Sequence, residues 1–235
     1  MKKLPYAEIY EKEFKYWPWG KLVREVCDTI TEQAPKNAKV VDLLCGPGYL
    51  LNRIHQRRKD LELSGVDIND EFIKYARQHY PGINFTQMDI LKWSFPQRYD
   101  VVVCTAGLHH LPFEEQGGLV KKAAQMLKPN GLCIFGDPMI RDYSNERERA
   151  IAAAELGYKS LVAVVENGGD RDMIQAALDV MHNDVLVDGE FKTSPAKVKA
   201  LYGEFFPHVE MHKTWPLDGK EGCGDYYFVL RNTKE

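Results

Sequence analysis

Between residues 36 and 137 short apolar runs alternate with stretches of helical periodicity. Runs at 39–44, 61–67, 83–87, 99–105 and 132–137 have strand length, and the first, ended by glycines, reads as a buried strand. Between them lie helical segments. One spans 49–58. A second starts at Asn69, a predicted N-cap followed by Asp70 and Glu71, and points Phe72, Ile73 and Ala76 inward. A third spans 114–127 and stops at Lys128-Pro129-Asn130-Gly131. Strands alternating with helices predict βαβ crossovers and a parallel sheet covered on both faces.

The flanks keep a different rhythm. Residues 6–34 read as helix, with Leu22, Val23, Val26 and Ile30 at helical spacing and an interruption at Trp17-Pro18-Trp19-Gly20. From Pro138 to Thr193 no good strand occurs. Two helices are expected there, from Asn145 towards Val165 and from Asp170 to Val187, split by Asn167-Gly168-Gly169. Ser194-Pro195 supplies an N-cap and a first-turn proline for a further helix. Two β-type runs, 209–215 and 226–231, then form an antiparallel hairpin. The expected division is a helical lid (1–35), a ligand-binding core (36–137), an inserted helical cap (138–193) and a C-terminal helix with hairpin (194–235), all within one domain.

Composition narrows the function classes. A net charge of -3 argues against a general affinity for nucleic acid. The basic cluster Arg53, Arg57, Arg58 and Lys59 reads as a solvated helix end. No apolar run has membrane-spanning length, and Met1 to Tyr6 lack a signal-peptide core, so neither a leader nor a span is expected. The five cysteines (Cys27, Cys45, Cys104, Cys133 and Cys223) are odd in number and show no C-x-x-C spacing, which predicts buried thiols in the cytoplasm.

The informative stretch is Val40-Val41-Asp42-Leu43-Leu44-Cys45-Gly46-Pro47-Gly48-Tyr49, a strand, a glycine turn and a helix start. Gly46 and Gly48 allow a tight turn and a close ligand approach, and the helix N-terminus offers free N–H groups. A dinucleotide fold would want a third glycine where Leu51 stands. Asp42 lies within the strand, and a buried carboxylate needs a partner. An amino-acid ammonium suits it, and nicotinamide cofactors carry none. Asp67, with Ile68 after it, can accept from ribose hydroxyls. Asp89 can accept from an adenine amine while neighbours such as Ile90 pack on the ring. Thr105 and the residues after it border the remaining end of the ligand. These markers fall at successive strand C-termini, where open α/β sheets bind ligands.

Their order and spacing resemble the class I S-adenosylmethionine-dependent methyltransferase family, over residues 36–137 and the terminal hairpin. The resemblance implies a doubly wound α/β fold with a seven-stranded, mostly parallel sheet and an antiparallel C-terminal strand. It implies S-adenosylmethionine as cofactor, with Asp42, Cys45, Gly46, Gly48, Asp67, Ile68, Asp89, Ile90 and Thr105 around it. The family usually has another glycine where this chain has Leu44.

The acceptor is less legible. Members that methylate base amines or protein glutamine usually carry Asn or Asp, then Pro-Pro and an aromatic, after the fourth strand. This chain has Thr105-Ala106-Gly107-Leu108-His109-His110-Leu111, a form that resembles members acting on small metabolites. A small-molecule acceptor is therefore expected, with His109 or His110 as the candidate base and no metal. The alternatives are a tRNA or protein acceptor, or a cofactor-binding subunit without turnover. Arg141, Tyr143, Arg147, Arg149, Glu166, Asn167, Arg171, Asp172, His182 and Asn183 of the cap are candidate acceptor contacts. Tyr6, Tyr10, Tyr16, Trp17 and Trp19 are expected to close the pocket from the other side.

Overall fold

The computed structural model describes residues 7–218 and 222–232. Met1 to Tyr6, and with them one aromatic of the expected lid, lie outside the described residues.

Two helices come first, α1 (Ala7–Tyr16) and α2 (Trp19–Gln33). Pro18 separates them, because it removes an amide from the helical ladder. Leu22, Val23, Val26 and Ile30 of α2 are buried against the sheet. Then follow β1 (Lys39–Leu43), α3 (Tyr49–Arg57), β2 (Glu62–Asp67), α4 (Asp70–His79), β3 (Asn84–Gln87), β4 (Tyr99–Thr105), α5 (Phe113–Met126) and β5 (Leu127–Met139). Asn69 caps α4 as expected, its side chain accepting the amides of Glu71 and Phe72.

The cap is a helical pair, α6 (Glu146–Glu166) and α7 (Arg171–Leu186), capped by Asn145 and Asp170. It is inserted between β5 and α8 (Pro195–Gly203), and β6 (His208–Trp215) and β7 (Gly224–Arg231) end the fold. The seven strands lie in the order β3-β2-β1-β4-β5-β7-β6. β7 runs antiparallel to both of its neighbours, and the other pairs are parallel. The strand order reverses after β1, so the ends of β1 and β4 diverge and leave a crevice at the switch point.

One boundary is corrected. Lys128-Pro129-Asn130-Gly131 does not precede β5 but lies inside it: Tyr99 pairs with Leu127 and Val101 with Leu132, so the four residues bulge between two paired positions. Asn130 takes a left-handed φ of 62° there, which Asn tolerates better than most residues.

Candidate active site

The turn after β1 is built from left-handed backbone. Gly46 and Gly48 have φ of 52° and 84°, and Leu44 has φ of 59°. A Cβ on Gly48 would sit 2.6 Å from the Phe85 ring, whereas one on Gly46 would meet nothing within 4 Å. Gly46 therefore leaves an open approach to the backbone, while Gly48 lets α3 close on the sheet. Leu44 adopts the conformation that a glycine would take without strain, at a cost of about 1–2 kcal/mol.

A cavity of about 370 Å³ opens beside this turn, lined by Asp42, Cys45, Gly46 and Thr105 among others. Asp42 is 2% exposed, and its Oδ1 has no hydrogen-bond partner among the described residues. Burial, helped by the nearby Asp67, pushes its pKa well above the ordinary range. An orphaned carboxylate oxygen on a cavity wall is what a ligand's ammonium would satisfy, so the residues present fit an amino-acid cofactor.

Asp67 holds the adjoining loops. Its Oδ2 accepts the Gly46 amide and its Oδ1 the Asn69 amide, both at 2.8 Å. Each oxygen has a further lone pair for a ribose hydroxyl. Asp89 and Ile90 are placed differently from expectation. Asp89 accepts the Leu91 amide at 3.0 Å and pairs with Lys92 at 3.0 Å, so it closes its own turn. Ile90 is 2% exposed and packed into the core, with its carbonyl taken by Lys122 Nζ at 2.7 Å. The apolar side chains left outside at these strand tips are Ile68, 59% exposed, and Met88, 41% exposed.

A second cavity, of about 900 Å³ and open to solvent, lies under the cap. It shares Tyr10, Trp19 and Ala106 with the first, so the two meet at that wall. Tyr10, Trp17 and Trp19 line it as expected, and Asn167 of the cap donates to the Tyr16 carbonyl at 2.8 Å, joining cap to lid. None of the ten polar cap residues read from the sequence lines it. Arg149 shows why: its guanidinium is buried and spent on the carbonyls of Asp184 and Val185, which ties α6 to the end of α7. The cap instead presents Leu156, Gly157, Ser160, Ala177 and Val180 to the cavity.

The polar wall joins His109 and His110 to residues that the sequence did not single out, Asp184, Glu190, Lys192 and Asp225. Lys192 Nζ lies 2.6 Å from both Asp184 Oδ1 and Glu190 Oε2. His109 Nδ1 donates to Asp137 Oδ1 at 2.5 Å, and its Nε2 faces Glu190 Oε2 at 3.2 Å. Burial and Lys192 push the His109 pKa down, but the two carboxylates outweigh them and leave it above the ordinary value. Both ring nitrogens of His109 are thus engaged, which makes it a poor base. His110 stands exposed on the cavity wall, with Nδ1 3.6 Å from Glu190 Oε1. His109, His110 and Glu190 bring three potential metal ligands within 4.8 Å of one another, and the sequence offered no such carboxylate at ligand spacing. Asp137 and Lys192 already balance the charges of this cluster.

The basic cluster on α3 is structural in part. Arg57 pairs with Asp28, and Arg58 with Asp60 and the carbonyls of Thr31, Ala34 and Pro35. The five cysteines are free and buried. Among the described residues no helix is long and apolar enough to cross a membrane.

Residues 40–131 match the family model described as "Methyltransferase domain". The chain is 27% identical over 140 residues to malonyl-[acyl-carrier protein] O-methyltransferase of Acetivibrio thermocellus, covering 57% of this chain and 49% of that protein. It is 28% identical over 160 residues to trans-aconitate 2-methyltransferase of Variovorax paradoxus, covering 63% and 61%. The chain thus spans about half the length of the first of these relatives. Among solved structures it is similar to the plantazolicin methyltransferase BpumL in complex with a desmethylPZN analog and SAH, at a TM-score of 0.63, 14% identity and coverage of 96% and 88%. It is also similar to human N-acetylserotonin methyltransferase in complex with SAM, at a TM-score of 0.57, 17% identity and coverage of 92% and 53%. With the strand order, the glycine turn and the carboxylates at the strand tips, these likenesses support a class I S-adenosylmethionine-dependent methyltransferase domain over residues 40–131.

Proposed function

We propose that this protein transfers the methyl group of S-adenosylmethionine to a small molecule seated under the cap. The observation that carries this reading is the shared wall of Tyr10, Trp19 and Ala106, through which the cavity beside the glycine turn meets the cavity under the cap. When bound, the cofactor supplies a methyl carbon already activated on a sulfonium. The chain's task is then alignment and exclusion of water. Asp42 and the turn at Gly46 hold the amino-acid end, Asp67 the ribose, and Ile68 with Met88 flank the base. Cys45 and Thr105 line the same crevice, and Asp89 and Ile90 form the turn at the neighbouring strand tip.

His109 acts as a positioning residue: it bridges Asp137 to Glu190 and fixes the cavity wall. His110 is the candidate base for an acceptor that must lose a proton. The relatives named for malonyl-[acyl-carrier protein] and trans-aconitate have acidic acceptors. The wall here is rich in carboxylates, so those acceptors do not carry over. Asn167 joins the cap to the first helices beside the cavity, an arrangement that favours a small acceptor over RNA or protein, and five free thiols suit the cytoplasm.

The test is titration of the purified protein with S-adenosylhomocysteine, followed by an assay for S-adenosylhomocysteine formation from S-adenosylmethionine with pooled small molecules. Binding together with acceptor-dependent turnover supports the reading. A protein that binds neither form of the cofactor refutes it.

A further inference from the structure

The buried polar wall under the cap has an unbalanced ledger of charge. The carboxylates lining it are Glu13, Asp184, Glu190 and Asp225, with Asp137 behind His109, and its buried basic groups are His109 and Lys192. Lys192 is shared between Asp184 and Glu190, and His109 between Asp137 and Glu190. Asp225 has no part in these pairings. It is 3% exposed and lines the cavity, and its Oδ2 has no hydrogen-bond partner among the described residues. β7 fixes it there: Asp225 pairs with Pro138 of β5, and its carbonyl accepts the Thr214 hydroxyl.

A buried carboxylate oxygen left unpaired is costly, and such groups in native folds call for a specific explanation. Packing gives none here: the residue lines the cavity, while its Oδ2 is covered and still finds no donor among the described residues. The same cavity carries Tyr10, Trp17 and Trp19, and aromatic faces attract cations as carboxylates do. An anionic ligand would add to the negative charge, and a neutral donor would satisfy the acceptor without offsetting it. A ligand with a positively charged N–H donor would satisfy both the charge and the orphaned acceptor.

We propose that the acceptor carries a protonated amine, and that Asp225 is the residue that binds it. This rests on the function proposed above and adds the chemical class of the acceptor. The charge logic also covers the cofactor: a cationic acceptor beside a sulfonium is tolerable only where the wall supplies excess negative charge.

The experiment titrates the protein, preloaded with S-adenosylhomocysteine, with three probes of one shape: 2-phenylethylamine, 2-phenylethanol and phenylacetate. Isothermal titration calorimetry should show the amine binding at least about tenfold tighter than the alcohol or the acid. In Asp225→Asn the amine should lose about tenfold in affinity and approach the alcohol, while affinity for S-adenosylhomocysteine stays unchanged. The wild-type ranking of the probes tests the idea even if the variant folds poorly. An alcohol or acid that binds as tightly as the amine overturns the proposal, as does an amine that fails to bind or that ignores the substitution. The preloading step separates the two readings, since failure to bind S-adenosylhomocysteine would count against the function itself.

Discussion

Asp67 Oδ2 accepts the Gly46 amide at 2.8 Å, so the carboxylate at the tip of β2 fixes the turn that follows β1. The same carboxylate holds the Asn69 amide at the start of α4. Replacing Asp67 with Ala removes both anchors together with the proposed ribose acceptor. Affinity for S-adenosylhomocysteine should fall by about tenfold or more, in line with ~1.5–3 kcal/mol for hydrogen bonds to a charged group. Calorimetric titration checks this, and equal binding by the variant would remove Asp67 from the site.

The two glycines of the turn should respond differently to Ala. At Gly48 the new Cβ would lie 2.6 Å from the Phe85 ring on a backbone of φ 84°, so stability should drop by about 2–4 kcal/mol. At Gly46 the new Cβ meets nothing within 4 Å, so only the left-handed backbone, at about 1–2 kcal/mol, opposes it. Urea denaturation of both variants measures the contrast. The Gly46 variant should remain folded and yet bind S-adenosylhomocysteine more weakly, because its methyl group occupies the ligand's approach.

Lys192→Met should strip the cation from Asp184 and Glu190, both buried beside it. Removing one partner of a buried ion pair destabilises by about 3–5 kcal/mol. Glu190 shows the sign of the pH effect. Burial pushes its pKa up, but Lys192 and His109 hold it below the ordinary value. The stability this contributes is present above the unfolded pKa and is lost as pH falls. The gap in Tm between wild type and variant should therefore be wide from pH 8 down to about pH 5 and narrow only as pH falls below the ordinary glutamate range of about 4.5. A gap independent of pH would show that the lysine acts through packing alone.

Asp225→Asn should have the opposite effect on stability. Burial, against the pull of Lys192, raises the Asp225 pKa from 3.8 to about 7, with Asp137 adding to the rise and His109 opposing it. The folded chain then holds the proton more tightly than the unfolded chain, so stability falls as pH rises from about 4 to about 7. Asn carries no such titration. Thermal melts at pH 5 and pH 8, without ligand, should show the variant gaining on wild type at the higher pH. An unchanged difference would mean that Asp225 ionises freely in the fold.

Much of the architecture was legible because its signals are local. Asn69, Asn145 and Asp170 cap their helices through their own side chains, and Pro18 and the Asn167-Gly168-Gly169 break mark boundaries within a few residues. That Asp42, Gly46, Gly48 and Asp67 gather at one crevice was legible because the crevice at the switch point is built from strand ends at fixed spacing. Asp89 and Ile90 were read as ligand contacts from their place in that series. Yet a lysine three positions after Asp89 and a second lysine on α5 claim the polar atoms of the turn.

The cavity under the cap was the illegible part. Glu190 and Lys192 lie in the connection after α7, Asp225 on the last strand and His109 after β4. No periodicity or motif links residues that only the sheet and the inserted helices bring together. The arginines and histidines of the cap drew attention as charged residues on helices. They face other partners, because a helix packed over a cavity turns its small and apolar side inward.

Tyr10, Trp19 and Ala106 belong to the walls of both cavities. One partition between two ligands makes their affinities interdependent, and thermodynamics fixes the symmetry of that dependence. Whatever factor the cofactor imposes on acceptor affinity by setting these three residues, the acceptor returns to the cofactor. On the function proposed above, the first helical pair, which supplies two of the three, is where that linkage is expected, and substitutions at Tyr10 or Trp19 should change it.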